Sequence, residues 1–171
     1  RIVIKPAVRI YRFAPDQSLR RALDQRILSE GLPRLNFKTT ADGMSLCYRG
    51  EKIPDASPVE GHCWLEQRFE SIFVDSVAGV SDQTRRLRLL VMSPWADQRL
   101  LLSLPGWQQE ILFSTDDAGK WKKIDLELPQ GALRQGSAIT AAVSQIHSPY
   151  ERGISRDTRR LGVAIKHLKL E

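Results

Sequence analysis

The feature that most constrains this chain is a series of short apolar runs, separated at close intervals by turn-forming residues. From Leu35 onward there are nine such runs, bounded by Gly, Pro, Asp or Ser clusters: LNFKTT, SLCYRG, RFESIFVDSV, TRRLRLLVMS, QRLLLSLPG, EILFST, KWKKIDLELP, AITAAVSQI and RRLGVAIKHLKL. Runs of this length and spacing are typical of the strands of a β-sandwich or barrel. The chain is therefore predicted to be mainly β.

Side chains alternate in character along the run KWKKIDLELP. Its apolar members are expected on one side and its charged members on the other: Trp121, Ile124, Leu126 and Leu128 against Lys123, Asp125 and Glu127. This pattern predicts sheets with one dry and one solvated face. The preceding segment Asp116-Asp117-Ala118-Gly119 has the composition of a turn and predicts a hairpin between EILFST and KWKKIDLEL.

One helix has clear start and stop signals. Asp16 is the expected N-cap, and Gly31 and Pro33 end the run. An apolar stripe at helical spacing predicts that one face packs on a sheet: Leu19, Ala22, Leu23 and Ile27.

The N-terminal third differs in texture from the rest. Residues Ile2 to Phe13 predict an edge strand, or two short strands broken by Pro6. The stretch from Gly50 to Gly61 is the candidate linker. We therefore predict a strand-helix-strand region over residues 1–58, packed on a sandwich over residues 59–171. Because the chain begins without Met and runs directly into strand-like sequence, we expect it to be part of a longer protein.

Charge and composition narrow the range of partners. The chain has 26 Lys and Arg against 20 Asp and Glu, a net charge of +6, and no block of like charges. This favours general attraction to anions over a dedicated nucleic-acid arm, so nucleic acid is not the expected partner. No apolar stretch is long enough to span a membrane.

The two cysteines, Cys47 and Cys63, are too few for a disulfide scaffold and lack metal-site spacing. We expect both to be reduced thiols in a cytoplasmic protein that reaches the inner face of the membrane through partners. A disulfide between them is the alternative.

Common catalytic and cofactor signatures are absent from the sequence, including those for phosphate loops, dinucleotides, zinc proteases and esterases. His62 and Cys63 are neighbours and would point to opposite faces of a strand, so we predict no metal and no cofactor. Glu66 and Glu70 are a conceivable glycosidase pair, but in an extended strand they would lie about 13 Å apart, too far for that chemistry.

The four tryptophans are the best material for ligand binding. Exposed indoles stack on sugar rings or bases, whereas buried indoles fill a core. We expect Trp107 and Trp121 to be packed in the core or at its rim. Trp64, Trp95 and Tyr150 are the candidates for exposed platforms.

From Val59 to Glu171 the sequence resembles a β-sandwich accessory module associated with bacterial glycosyltransferases and surface-polysaccharide assembly proteins. GHCWLEQRFES resembles the family's opening pattern, although Arg68-Phe69 stands where the family has Arg-Trp. The middle, from LRLLVMSPWADQRLLLSLPG to KWKKIDLELP, resembles its succession of strands and turns. In SPYERGISRDTRRLGVAIKHLKL, four residues fall on the closing pattern: Asp157, Arg159, Leu161 and Gly162.

The resemblance implies an antiparallel, jelly-roll-like two-sheet sandwich without catalysis of its own. Its expected partners are a glycan or sugar-bearing acceptor and an adjoining glycosyltransferase domain. The candidate carbohydrate-binding residues are Trp64, Glu66, Arg68, Trp95, Tyr150, Asp157 and Arg159. We expect Asp157 and Arg159 either to meet Glu66 or Arg68 across strands as a salt-bridged strand entry, or to bind sugar hydroxyls.

Two further functions stay open at this point. A polyanion-binding domain is suggested by the basic pI of about 9.6. A glycoside hydrolase would use Glu66 with a second carboxylate, Glu70 or Asp75.

Overall fold

The protein is mainly β, with two packed sheets and one helix. The computed structural model describes residues 17–29, 31–39, 45–49, 59–60, 62–76, 83, 85–133 and 138–171. The elements are α1 (Ser18–Ser29), β1 (Arg34–Thr39), β2 (Ser45–Arg49), β3 (Val59–Glu60), β4 (Cys63–Trp64), β5 (Phe69–Ser76), β6 (Arg86–Met92), β7 (Gln98–Leu104), β8 (Trp107–Phe113), β9 (Lys122–Glu127), β10 (Ala138–Val143) and β11 (Ala164–Leu170). Each of the nine predicted runs contains a strand. The predicted strands between Ile2 and Phe13 lie outside the described residues.

The strands form a seven-stranded sheet in the order β3-β2-β1-β5-β10-β7-β8 and a four-stranded sheet in the order β4-β11-β6-β9. All pairs are antiparallel except β1 with β5, which run parallel. Parallel neighbours need a long crossover. The chain between β1 and β5 supplies one, because it contains β2, β3 and β4, and β4 lies in the other sheet. Since β1, β2 and β5 share one sheet, the expected boundary at residue 58 falls within that sheet.

The core lies between the two sheets and follows the predicted alternation. In β6, buried residues alternate with more exposed ones, and in β9 Ile124 and Leu126 are buried while Lys123, Asp125 and Glu127 are exposed. Apolar side chains from both sheets join one cluster: among its most buried members are Leu35, Phe37, Leu87, Val91, Leu100, Phe113, Val143 and Ile165. Burial of this apolar area supplies the main favourable term in folding.

Helix α1 covers the outer face of the seven-stranded sheet. Leu19 and Leu23 are buried against Leu101 and Ala142, with Phe69 packed beside them. The i, i+4 spacing of the two leucines places both on the sheet side of the helix. Arg20 and Arg21 are exposed, as the stripe predicts. Among the described residues, no helix is long and apolar enough to cross a membrane.

The segment predicted to make a hairpin instead carries the chain from one sheet to the other. Strand β8 lies at the edge of the seven-stranded sheet, and β9 at the edge of the four-stranded sheet. The turn between them, Thr115–Asp117, is held by the Asp117 carboxylate, which accepts from the Ser114 hydroxyl at 2.8 Å and from Lys122 Nζ at 2.6 Å. The turn residues are correct for a reversal, but composition alone does not say which strands the reversal joins.

The prediction of two reduced thiols is wrong, because Cys47 of β2 and Cys63 of β4 form a disulfide. The bond links the two sheets and closes a sequence separation of 16 residues. Only β3 separates the two strands in the order of elements, but they belong to different sheets, so the pairing depends on how the sheets stack. Sequence spacing does not reveal that stacking.

Candidate functional site

An aromatic cluster lies on the outer face of the four-stranded sheet. It consists of His62, Trp64 and Trp121. The His62 ring meets both indoles edge to face, with centroid separations of 5.5 Å to Trp64 and 5.4 Å to Trp121. Trp121 is 39% exposed. Exposed aromatic side chains that lie together are candidates for a binding surface.

Strand alternation explains why these three side chains share a face. Cys63 reaches inward to its disulfide, so its neighbours His62 and Trp64 are directed outward. Trp121 has the same parity as the exposed residues Lys123 and Asp125. The expectation that Trp121 lies on the same side of the strand as Ile124 is therefore wrong, since the two residues are three positions apart, an odd number.

The sheet register places small and flexible residues between the two tryptophans. Trp64 lies opposite Ala164, and Ala164 lies opposite Met92. Trp121 adjoins the next pair, Lys122 with Val91, at the end of β9. Ala164 is fully buried yet stands outside the main core, as we expect of a small residue beneath larger side chains. The row is thus a shallow surface with an indole at each end.

Charged groups surround the aromatic cluster. Lys166 Nζ lies 5.8 Å from the centroid of the Trp121 ring, within the range of a cation–π interaction. Partial burial, then the positive charges of Lys166 and Arg159, lower the pKa of His62. His62 is therefore predominantly neutral at pH 7, and its ring nitrogens comprise one donor and one acceptor.

Asp157 and Arg159 pair with each other. The guanidinium donates from Nε to both carboxylate oxygens, at 3.0 and 3.1 Å, and from Nη2 at 2.6 Å. The Arg159 backbone N–H adds a bond of 3.0 Å to the same carboxylate. These bonds lower the pKa of Asp157 to about 2. The salt-bridged strand entry is present, but its partners are two residues apart in one segment, where we expected Glu66 or Arg68.

Gly162, another residue of the closing motif, helps to hold the start of β11 beside the residue that follows β4. A Cβ on Gly162 would come within 2.9 Å of the Leu65 carbonyl, so only glycine fits there. The Gly162 N–H donates to that carbonyl at 2.8 Å, and the Leu65 N–H donates to the Val163 carbonyl at 2.8 Å. These bonds dock the residue that follows Trp64 beside the start of β11.

A buried ion pair fixes the turn that follows Trp64. The Glu70 carboxylate is fully buried and accepts from the Arg49 guanidinium and from the Glu66 backbone N–H, the latter at 2.9 Å. Arg49 also donates to the Trp64 carbonyl and lies 3.4 Å from the Glu66 carboxylate. The 13 Å separation expected between the two glutamates assumed an extended strand, and the turn between β4 and β5 brings them together instead. Glu70 has no exposed surface, so it cannot contact a glycosidic bond.

Three of the predicted binding residues lie apart from this cluster. Trp95 is 5% exposed, and its indole N–H donates to the Leu161 carbonyl at 2.6 Å, so the expectation of an exposed platform there is wrong. Arg68 is exposed and lies over Phe69. Tyr150 is 64% exposed in the loop before Asp157, and its backbone N–H donates to the Asp157 carbonyl.

A basic groove continues from the aromatic cluster along the same outer face. It has a volume of about 400 Å³ and is lined by Arg88, Leu90, Lys123, His167, Lys169 and neighbouring residues. Lys166, Leu90 and Lys123 are in register across three strands, and Lys169, Arg88 and Asp125 form the next row. A β-bulge in β11 inserts His167, whose φ is +52°, between these rows.

Sequence reasoning identified Trp64, Glu66, Asp157 and Arg159 but missed His62, Trp121 and Lys166. Trp121 could have been found because it lies an even number of positions from the charged residues of its strand and so shares their face. His62 could have been found because it lies two positions from Trp64 and so shares its face. Within the described residues, no group of three or more His, Cys, Asp or Glu side chains is placed to hold a metal ion.

Comparison of the chain with protein-family models, with curated proteins and with solved structures finds no match. The resemblance to a polysaccharide-associated module therefore rests on the quoted motifs alone.

Proposed function

We propose that this protein is a noncatalytic carbohydrate-binding or scaffolding domain of a bacterial polysaccharide-assembly protein associated with a glycosyltransferase. The observation that carries this proposal is the aromatic cluster on an open sheet face, with Trp121 39% exposed. The apolar faces of sugar rings stack on indoles, and neighbouring polar groups fix their orientation. The motifs of the closing strand agree with the proposal.

The residues around the cluster have distinct roles in this proposal. Trp121 and Trp64 provide the stacking surface. Arg159, whose side chain is 66% exposed, and Glu66, whose side chain is 46% exposed, would bind sugar hydroxyls. The ion pair of Arg49 with the buried Glu70 carboxylate holds Trp64 and Glu66 in position.

The disulfide bears on where such a domain works. The expected cytoplasmic location rested on reduced thiols, whereas Cys47 and Cys63 are paired. Disulfides persist in oxidising compartments and are rare in the cytosol. We therefore favour a location outside the cytoplasm, where the partner is an assembled or growing glycan.

A glycan array of bacterial surface polysaccharides, followed by calorimetry with the strongest binding oligosaccharide, tests the proposal. Trp121→Ala is expected to weaken binding about tenfold, the effect of losing a central aromatic contact. Ile154→Ala is the matched control, because Ile154 is also a large exposed apolar residue but lies in the loop near Trp95.

Equal affinity of the Trp121→Ala variant and the native protein would remove the aromatic cluster from the site. Absence of binding to every glycan at millimolar concentration would remove carbohydrate recognition altogether. Tyr150→Ala, measured in parallel, decides whether the exposed loop contributes.

A further inference from the structure

The basic groove beside the aromatic cluster contains cations without carboxylate partners. Arg88 is paired, with Asp125 at 3.2 Å and with Glu171 at 2.9 Å. By contrast, no carboxylate of the described residues lies within salt-bridge distance of Lys123, Lys166 or Lys169. The groove therefore offers the ammonium groups of Lys123 and Lys169 to a ligand, and Lys166 offers a third where the groove meets the aromatic cluster.

These lysines stand at a defined distance from the indoles. Trp64, Ala164 and Met92 form one row of the outer face, and Lys166, Leu90 and Lys123 form the next. Successive rows on one face of a sheet lie about 7 Å apart, since each strand rises about 3.3 Å per residue. A sugar ring stacked on the cluster would therefore place its substituents, or the next ring, over the lysines.

Lys166 connects the two areas directly. It approaches the Trp121 ring, and its charge acts on both His62 in the cluster and His167 in the groove. The cluster and the groove are thus one continuous surface with an aromatic part and a cationic part.

We propose that the ligand is an acidic polysaccharide, whose rings stack on the aromatic cluster and whose carboxylate or phosphate groups bind Lys166, Lys123 and Lys169. This inference rests on the proposed carbohydrate-binding function and names its substrate class. Asp125, Glu127 and Glu171 are interspersed with the cations and would repel a closely spaced phosphate backbone. A glycan with one acidic group per repeat fits such a surface better than a nucleic acid does.

The experiment compares glycans that differ only in charge. One pair is oligogalacturonate and its carboxyl-reduced form, and the other is a phosphomonoester-bearing mannan before and after phosphatase treatment. For at least one pair, the acidic member is expected to bind at least tenfold more tightly, because each exposed ionic contact contributes a factor of roughly two to five. The pair that shows the gain identifies carboxylate or phosphate as the acidic group.

Substitutions of the lysines test whether the groove causes the tighter binding of the acidic glycan. Lys123→Gln and Lys169→Gln together should remove most of the gain and leave binding of the neutral member unchanged, since neither lysine contacts the aromatic cluster. Adding Lys166→Gln should abolish the gain. Arg20→Gln, Arg21→Gln and Lys38→Gln together are the matched control, since they remove three cations from the helix and the seven-stranded sheet. Trp121→Ala should weaken both members in parallel.

Other outcomes separate the two proposals. Equal affinity for acidic and neutral members, with the Trp121 effect intact, would overturn the acidic ligand and leave carbohydrate binding in place. No binding of any member would overturn both. Binding of duplex DNA with steep salt dependence, insensitive to Trp121→Ala, would replace both with a general polyanion surface.

Discussion

Each of the two sheets packs one face on the shared core, but their outer faces differ in what covers them. The outer face of the seven-stranded sheet presents Leu101 and Ala142, which are buried beneath Leu19 and Leu23 of α1. The outer face of the four-stranded sheet presents exposed charged residues, among them Lys123 and Asp125, and the partly exposed indole of Trp121. Among the described residues, the first face is covered by α1 and the second stays open to solvent.

This difference is the reason why the proposed binding surface lies on the four-stranded sheet. Apolar residues on the closed face contribute to stability through burial. On the open face, the indole of Trp121 is 39% exposed, with the His62 ring and Lys166 Nζ beside it. Its energetic contribution to folding is therefore expected to be smaller than that of a fully buried side chain, and part of the indole is free to contact a ligand.

The largest difference between the two faces should be a difference in stability when one side chain on each face is truncated. Leu23→Ala is expected to lower the free energy of unfolding by about 3–4 kcal/mol, since Leu23 is fully buried. Trp121→Ala should cost less, about 1–2 kcal/mol, because 39% of Trp121 stays in contact with water in the folded protein. Urea denaturation of both variants measures the difference. A loss of similar size in Trp121→Ala would mean that the open face is a packed surface.

Removing the disulfide should have the next largest effect. The bond closes a 16-residue separation, and its loss in Cys47→Ser with Cys63→Ser should cost about 2–3 kcal/mol. It joins β2 to β4, and β4 carries Trp64, so glycan binding should weaken as well. The seven-stranded face should keep its helix, which circular dichroism can follow.

Thiol titration of the native protein provides the control for that experiment. Two reactive thiols before reduction, together with an unchanged melting temperature after reduction, would contradict the disulfide. The Cys47→Ser single variant, which leaves Cys63 as a lone thiol, separates loss of the bond from the effect of the second substitution.

Local patterns predicted the strands and the helix because they depend on neighbouring residues. The alternation of Ile124, Leu126 and Leu128 with charged residues is visible in the sequence, and so is the spacing of Leu19 and Leu23. Both patterns reflect a core on one side of each element. This is why the mainly β class and the position of α1 were predictable.

Features that depend on the stacking of two sheets were not predictable in the same way. The Cys47–Cys63 bond, the crossover from β8 to β9 and the parallel pairing of β1 with β5 all join segments whose neighbours are set by topology. The candidate site depends on both local sequence patterns and sheet topology. Trp64 stood out by composition, but its proximity to Trp121 depends on the order β4-β11-β6-β9.

The smallest expected effect is on the pKa values of the histidines. His62 and His167 report the charge of the open face, and His147, which lies beside Trp95, is the reference. Burial lowers the pKa of His62, His147 and His167, and Lys166 lowers it further for His62 and His167. Lys166→Gln should therefore raise the pKa of these two toward the ordinary value and leave that of His147 unchanged. NMR titration of the imidazole Cε1–H signals measures all three values in one sample.

A second variant distinguishes His62, in the aromatic cluster, from His167, in the basic groove. Arg159 lowers the pKa of His62 but does not act on His167, so Arg159→Gln should raise the pKa of His62 alone. Because the folded pKa of His62 lies below the ordinary value of 6.5, the unfolded chain binds protons more readily. The stabilisation from neutral His62 is thus complete above about pH 6.5 and is lost as the pH falls below it, and Lys166→Gln should reduce that loss. Equal shifts of all three histidines in Lys166→Gln would mean that Lys166 acts through a general change in structure and not through its place between the aromatic cluster and the basic groove.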